Sequence, residues 1–252
     1  MKFTNESDRR EFLMRAISTG LFGLAAGSGL LLPQQGFAKP GSTLLPPGRS
    51  IFDFRGDVRI DGAQATETTR IGPNALVETG SNSFISFIIG SDAHLVRENT
   101  RVQFSGNRAS VSVQEESSFF ADSMNLLTGK ILSVFGRRDS GKRYNLRTTT
   151  ATIGIRGTGV YTESASDHSY VCTCYGAVEI GANNDDASKE EIVSRHHDAP
   201  RYIAADGAAG KLITPAPMKN HTDEELMLIE ALVGRVPPIS SVKGYKAPRK
   251  GY

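Results

Sequence analysis

Tryptophan is absent from the 252 residues, and cysteine occurs only twice, as Cys172 and Cys174. Two cysteines cannot staple a disulfide-rich scaffold, so folding has to rest on an apolar core. An excess of one charge sign is missing too. The 29 basic and 27 acidic residues leave a formal net charge of +2, too small for a global field that would draw in nucleic acid. No G-x-S-x-G, paired-carboxylate or zinc-protease spacing occurs, so no hydrolytic chemistry is legible in a motif. Beyond Leu32 no apolar run is long enough to span a membrane. What the chain does have is glycine, 26 residues of it, within an ordinary globular composition of 38% hydrophobic and 22% charged residues.

The first 38 residues stand apart from the rest. "DRREFLMRA" (8–16) precedes an uncharged stretch that ends at Leu32, and Pro33 and "QGFA" follow. Charged, then apolar, then small residues is the layout of an export signal. Arg9 and Arg10, with Phe12 and Leu13, resemble the twin-arginine signal S/T-R-R-x-F-L-K; Asp8 and Met14 stand where that pattern has Ser/Thr and Lys. Ala38 closes a small-x-small cleavage site, so the mature chain is expected to begin near Lys39, in the periplasm. The alternative is an uncleaved signal that anchors a sensor in the inner membrane. The resemblance implies the twin-arginine export machinery as a partner and transport of an already folded chain, often with a cofactor inserted beforehand.

"KPGSTLLPPGR" (39–49) reads as a tether. From residue 50 to about 205, short β-branched runs such as "FISFII" (84–89), "KILSVF" (130–135) and "YVCTCYGAVEI" (170–180) alternate with Gly/Asn/Asp breaks. This punctuation predicts an all-β domain of many short strands. The segment 206–252 differs. Thr222 and Glu225 form a capping box, and Leu226, Ile229 and Val233 recur at helical spacing, with Leu228 and Leu232 beside them. Gly234 and Pro237–Pro238 stop the pattern, which predicts one amphipathic helix over about 222–233 and a loose basic tail after it.

"GRRDSGKR" (136–143) carries the first seven places of a phosphate loop, but Arg143 stands where a magnesium-binding hydroxyl is needed, and an extended run follows instead of a helix. No nucleotide is expected there. Arg137, Arg138, Lys142 and Arg143 still form the densest positive patch, a solvated loop or a contact for an acidic envelope protein or glycan.

"ATIGIRGTGVY" (151–161) alternates Ile153 and Ile155 with Thr152, Gly154 and Arg156 at strand period, and glycine inside a strand marks a bulge or a close backbone approach. The stretch is similar to the signature of the FecR-type periplasmic domain family, T-A-x-[IV]-x-[VI]-R-G-T followed by an apolar residue, through Gly154, Arg156, Gly157 and Thr158. "RGDVRID", "ALVETGSNSFISFIIGSDAHLVRENTRVQF", "LLTGKILSVF" and "CYGAVEI" resemble the family's other blocks in order, over residues 50–182. The resemblance implies an all-β fold, solenoid-like or a rolled sheet, in a protein-interaction or ligand-sensing module of the envelope without enzymatic activity. The sigma-factor-regulating part of well-known members does not carry over, because a short export signal stands where their cytoplasmic segment would be.

Cys172 and Cys174 face the same side of a strand, together with Gly176, Val178 and Ile180 if the register continues. Three roles are open to them: buried thiols with no cofactor, a strained disulfide, or soft ligands of a metal or redox centre completed by His196 or His197 from "SRHHDAPRYI". Adjacent histidines on a strand point to opposite faces, so one of the two is expected to reach. Two functions from different classes follow: a non-enzymatic binding module, and a metal- or redox-cofactor protein.

Overall fold

The computed structural model describes residue 45 and residues 49–106, 121–136 and 143–241, with the backbone alone at 240 and 241. The signal residues 1–38 (Arg9, Arg10, Phe12, Leu13 and Ala38 among them), most of the tether, the basic-tip residues Arg137, Arg138 and Lys142, and the tail beyond 241 lie outside the described residues. Fourteen strands are described: β1 (Ile51–Arg55), β2 (Val58–Ile60), β3 (Ala63–Gln64), β4 (Leu76–Thr79), β5 (Phe84–Ile89), β6 (Asp92–Val96), β7 (Thr100–Ser105), β8 (Ser123–Val134), β9 (Tyr144–Arg147), β10 (Ala151–Ser164), β11 (His168–Ala182), β12 (Asp185–Ser194), β13 (Arg201–Ala204) and β14 (Ile213–Pro215). One α-helix follows, α1 (Asp223–Leu232), and then a 3-10 turn at Pro238–Ser241. The described residues are all-β with a single C-terminal helix, as the punctuation predicts.

The strand pairs are antiparallel except for β8 with β9. A β-solenoid pairs successive rungs in parallel, so this is the pairing of a rolled sheet. Among the described residues no helix is long and apolar enough to cross a membrane.

Three long strands, β8, β10 and β11, run through both halves of the roll and change partners on the way. β10 pairs through Thr152–Ile155 with β9 and through Gly159–Ser164 with β8. β11 pairs through His168–Val171 with β13 and through Gly176–Ala182 with β12. Between β10 and β11 the ladder breaks twice. Val160 faces Thr173 while Gly159 faces Tyr175, which leaves Cys174 out of register, and Arg156 faces Ala177, which leaves Gly157 and Thr158 opposite Gly176. This is a bulge. Gly157 and Gly176 have φ of +54° and +87°, the left-handed region, and a Cβ on Gly176 would stand 2.6 Å from the Cβ of Thr158.

The bulge decides which side chains meet. Strand side chains alternate with period two, so an extra residue exchanges the faces. Ile153 and Ile155 point into the core inside the roll; past the bulge Val160 takes over that core, and Tyr161 faces a second core outside it. On β11, Cys172 and Cys174 face the second core, whereas Val178 and Ile180 face the first. A register continuing from Cys172 to Ile180 therefore does not occur; it is broken between Cys174 and Tyr175, consecutive residues that both lie in the second core. β8 makes the same exchange: Met124 and Leu126 lie in the first core, Leu132 and Val134 in the second, with Gly129 between them.

Helix α1 covers the second core. Leu226, Leu228, Ile229, Leu232 and Val233 are buried against residues that include Phe84, Leu95 and Leu132. Thr222 is its N-cap: the Glu225 amide donates to the Thr222 hydroxyl at 3.4 Å, and the Thr222 amide donates to the Glu225 carboxylate at 2.9 Å. Gly234, at φ +69°, ends the helix. β14 adds an edge strand to β13 beyond the expected boundary at 205, so residues 206–241 pack on the same sheet rather than trailing from it.

Candidate metal centre

Strand alternation puts Cys172 and Cys174 side by side on the helix-covered face of β11. No disulfide joins them; both are free, buried thiols. Two further segments converge on them. One is the turn after β12, where the Asp198 carboxylate accepts from the amides of Arg195 (2.7 Å) and His196 (3.3 Å). Within it His197 adopts φ +54°, an uncommon conformation for a residue with a side chain, and its amide donates to the Cys174 carbonyl at 3.0 Å. Such backbone settings cluster where a side chain has to be aimed. The other segment is the approach to helix α1, where His221 stacks on Tyr161, ring centroids 4.5 Å apart at 15°.

The ligand atoms of Cys172, Cys174, His197 and His221 all lie within 4.8 Å of one another, and all four residues are buried. Cys172 Sγ is 3.4 Å from His197 Nδ1, which is 3.1 Å from His221 Nε2. A tetrahedral centre with Zn–S of ~2.3 Å and Zn–N of ~2.0–2.1 Å separates its ligand atoms by about 3.3–3.8 Å. The donors stand close to that spacing.

The outward nitrogens set the chemistry of the inward ones. His197 Nε2 donates to Asp223 Oδ1 at 3.0 Å, and His221 Nδ1 donates to the Lys219 carbonyl at 2.8 Å. Both partners are acceptors, so each ring's proton sits on its outer nitrogen, and in the neutral tautomers two lone pairs face each other across 3.1 Å. Only a cation between them satisfies both. An imidazole that ligates a metal and donates its other N–H to a carboxylate or backbone carbonyl is the usual outer-shell arrangement. Asp223 is suited to its part, because it lies in the first turn of α1, where the helix dipole favours negative charge.

The titration directions agree with a cation-seeking site. The Cys172 thiol is held well below its ordinary range, first by the hydrogen bond from Cys174 and then by His197 and His221, against the cost of burial. Burial, and then Cys172 itself, push Cys174 up. Burial works against charging His197, but the contacts with Cys172 and Asp223 outweigh it and raise the imidazole. With a proton as the only cation, these shifts favour a Cys172 thiolate beside a charged His197 ring.

His196 does not join the cysteines. It is a third exposed and reaches Asp223 instead, at 3.0 and 3.1 Å, because the left-handed turn at His197 carries only that second ring inward. Of the basic tip, only Arg143 is described; it is exposed and ion-paired with Glu179. Gly154 lies half-buried near both of those side chains, and Arg156 and Gly157 are exposed on the outside of the roll. Thr158 is buried in the bulge, and its carbonyl accepts from the Phe135 amide at 3.0 Å. His221 and Asp223 are the site residues that sequence reading missed. Both sit in "NHTDEEL" beside a capping box, where an imidazole before the cap and an acid in the first turn read as ordinary helix-start chemistry.

No protein-family model and no curated protein matches this chain. Among solved structures, two of a "putative anti-sigma factor" from Parabacteroides distasonis ATCC 8503, at 2.50 and 1.65 Å resolution, are similar to it at 12% sequence identity and a TM-score of 0.41. The likeness covers 56% of this chain and 58% of theirs, so it spans little more than half the length of those proteins. A likeness this distant carries no argument about function.

Proposed function

We propose that this chain is an exported, non-enzymatic β module of the bacterial envelope, FecR-like in its strand motifs, that binds one transition-metal ion in a closed Cys2His2 centre made by Cys172, Cys174, His197 and His221. One observation carries the reading: four buried soft and borderline donors from three separate segments converge within 4.8 Å, and both imidazoles are oriented from behind by acceptors. The ion best suited is divalent and tolerant of tetrahedral geometry, Zn2+ foremost. Two thiolates and one divalent cation sum to zero, the charge that a buried site tolerates, whereas a monovalent ion leaves a buried negative charge. Four protein ligands leave no open position, so the ion serves structure or sensing rather than catalysis. Loading displaces the thiol and imidazolium protons. The twin-arginine-like segment fits this reading, since that route carries a chain already folded around its ion.

The test is metal analysis of protein purified without added metal. About one equivalent of Zn2+ per chain is expected, falling to background in a Cys172→Ser, Cys174→Ser double variant. Replacement by Co2+ is expected to give the absorption of a tetrahedral thiolate complex. Protein that holds two titratable thiols, no metal, and no Co2+ spectrum overturns the proposal.

A further inference from the structure

Resting on that metal reading, we infer that the ion is the latch that holds helix α1 down on the sheet, so that metal occupancy sets whether the second core is covered.

The latch follows from how the ligands are spread along the chain. Cys172 and Cys174 belong to β11, and His197 to the turn that leaves β12. His221 belongs to neither; it immediately precedes the N-cap Thr222 of α1. An ion bound by all four ties the start of the helix to the sheet, and Asp223, one residue after the cap, ties it again through His196 and His197.

The chain on the near side of His221 has anchors of its own. Tyr170 donates to the Pro217 carbonyl at 3.0 Å and accepts from the Lys219 amide at 3.2 Å, the Lys219 ammonium lies 4.6 Å from the Tyr170 ring centroid and pairs with Glu163 at 3.0 Å, and the Asn220 side chain donates to Glu163. None of these reaches past Asn220, which stands at φ +62°. A hinge is therefore defined there, with a segment before it pinned independently of the metal and a segment after it that the metal holds.

Beyond the hinge the helix keeps apolar contacts and several polar ones, among them the Tyr175 hydroxyl, which donates to Glu230. The buried Arg97 donates to Glu225 at 2.9 Å, and Arg235 donates to the Ser91 carbonyl at 2.8 Å. A ten-residue helix does not persist alone in water; it forms only while its apolar face is covered. Cooperative loss of the helix with the metal follows, while β2, β4 and β7, whose side chains build the first core, stay folded. A proton in the metal's place bridges at most two of the four donors, so it cannot substitute for the ion as a tie between three segments.

The experiment is hydrogen exchange on the full chain, read by mass spectrometry, as purified, after chelation, and after Zn2+ is returned, with bound metal measured in each sample. Exchange of residues 223–233 is expected to speed up about tenfold or more on chelation and to recover with Zn2+, with peptides from β2, β4 and β7 unchanged. In His221→Ala the sheet ligands Cys172, Cys174 and His197 remain, so thiolate absorption with Co2+ is expected to survive while Zn2+ no longer protects the helix. Zn2+ that binds without changing helix exchange overturns the latch and leaves the metal site standing. Uniform loss of protection on chelation also overturns it, because the ion then holds the whole fold. A chain that binds no Zn2+ overturns both.

Discussion

The two cores of this protein share β8, β10 and β11 and differ in what they bury. Inside the roll the packing is aliphatic and aromatic: Phe87 and Phe104 meet edge to face at 5.6 Å, and His94 packs on both rings with its Nδ1 2.9 Å from the Ser133 hydroxyl. Under the helix the same strands bury two thiols, two imidazoles, the Arg97–Glu225 ion pair and Glu230. Apolar burial is non-directional and forgiving, whereas buried polar groups cost free energy unless each finds its partner. On the proposed metal reading, the first core holds the fold by itself, and the second depends on its cation.

Phe104→Ala is the largest way to break the comparison. The residue is fully buried between Phe87 and His94, and its loss is expected to cost about 3–5 kcal/mol in denaturant melts, while the fraction that stays folded still binds metal with unchanged stoichiometry. Gly176→Ala acts on both cores at once. Its left-handed backbone and the Cβ of Thr158 at 2.6 Å predict a loss of about 1–3 kcal/mol from strain. Because Gly176 stands two residues from Cys174, where the ladder slips a second time, metal affinity is expected to fall with stability; an Ala variant that melts like the wild type would show that the bulge tolerates a side chain.

Asp223→Asn separates the cores more finely. The carboxylate touches His196 and His197 and none of the first core, so metal affinity is expected to drop roughly 10–100-fold with little change in the melt of metal-free protein. A competition titration against a chelator of known affinity measures it.

The smallest effect concerns Glu230, buried under the helix beside Tyr175 and paired with Arg235 at 2.7 Å. Burial raises its carboxyl above the ordinary range, with Arg235 opposing. A raised acid adds stability that is fully present below its unfolded pKa and is lost as pH rises through its folded value. Glu163, lowered by its hydrogen bonds to Asn220, Tyr161 and Lys219 against the cost of burial, works the other way: its contribution is present above the unfolded pKa and is lost as pH falls through the folded one. With the helix in place, in metal-loaded protein, wild type is therefore expected to gain a little stability as pH falls from neutral toward the ordinary carboxylate range, and Glu230→Gln is expected to flatten that slope. Denaturant melts at several pH values would show it, and an unchanged slope would acquit Glu230.

What the sequence determined by itself is local. Turn residues at regular spacing specify the all-β class, because glycine and asparagine fill backbone conformations that other residues avoid. Thr222 and Glu225 specify where the helix starts, because the capping box closes within four residues. The pairing of Cys172 with Cys174 is equally legible, since alternation on a strand needs no knowledge of the fold. Tertiary structure alone decided the rest. Whether Ile180 shares a face with Cys172 depended on how two strands pair, since the ladder slips at Cys174 between Gly159–Tyr175 and Val160–Thr173. Whether a histidine would complete the site depended on His221, which lies 49 residues after Cys172 and reaches it only because α1 packs across the second core. Local signals arise from the backbone's own geometry within a turn or two, whereas a ligand set drawn from three segments exists only after long-range apolar burial has brought them together.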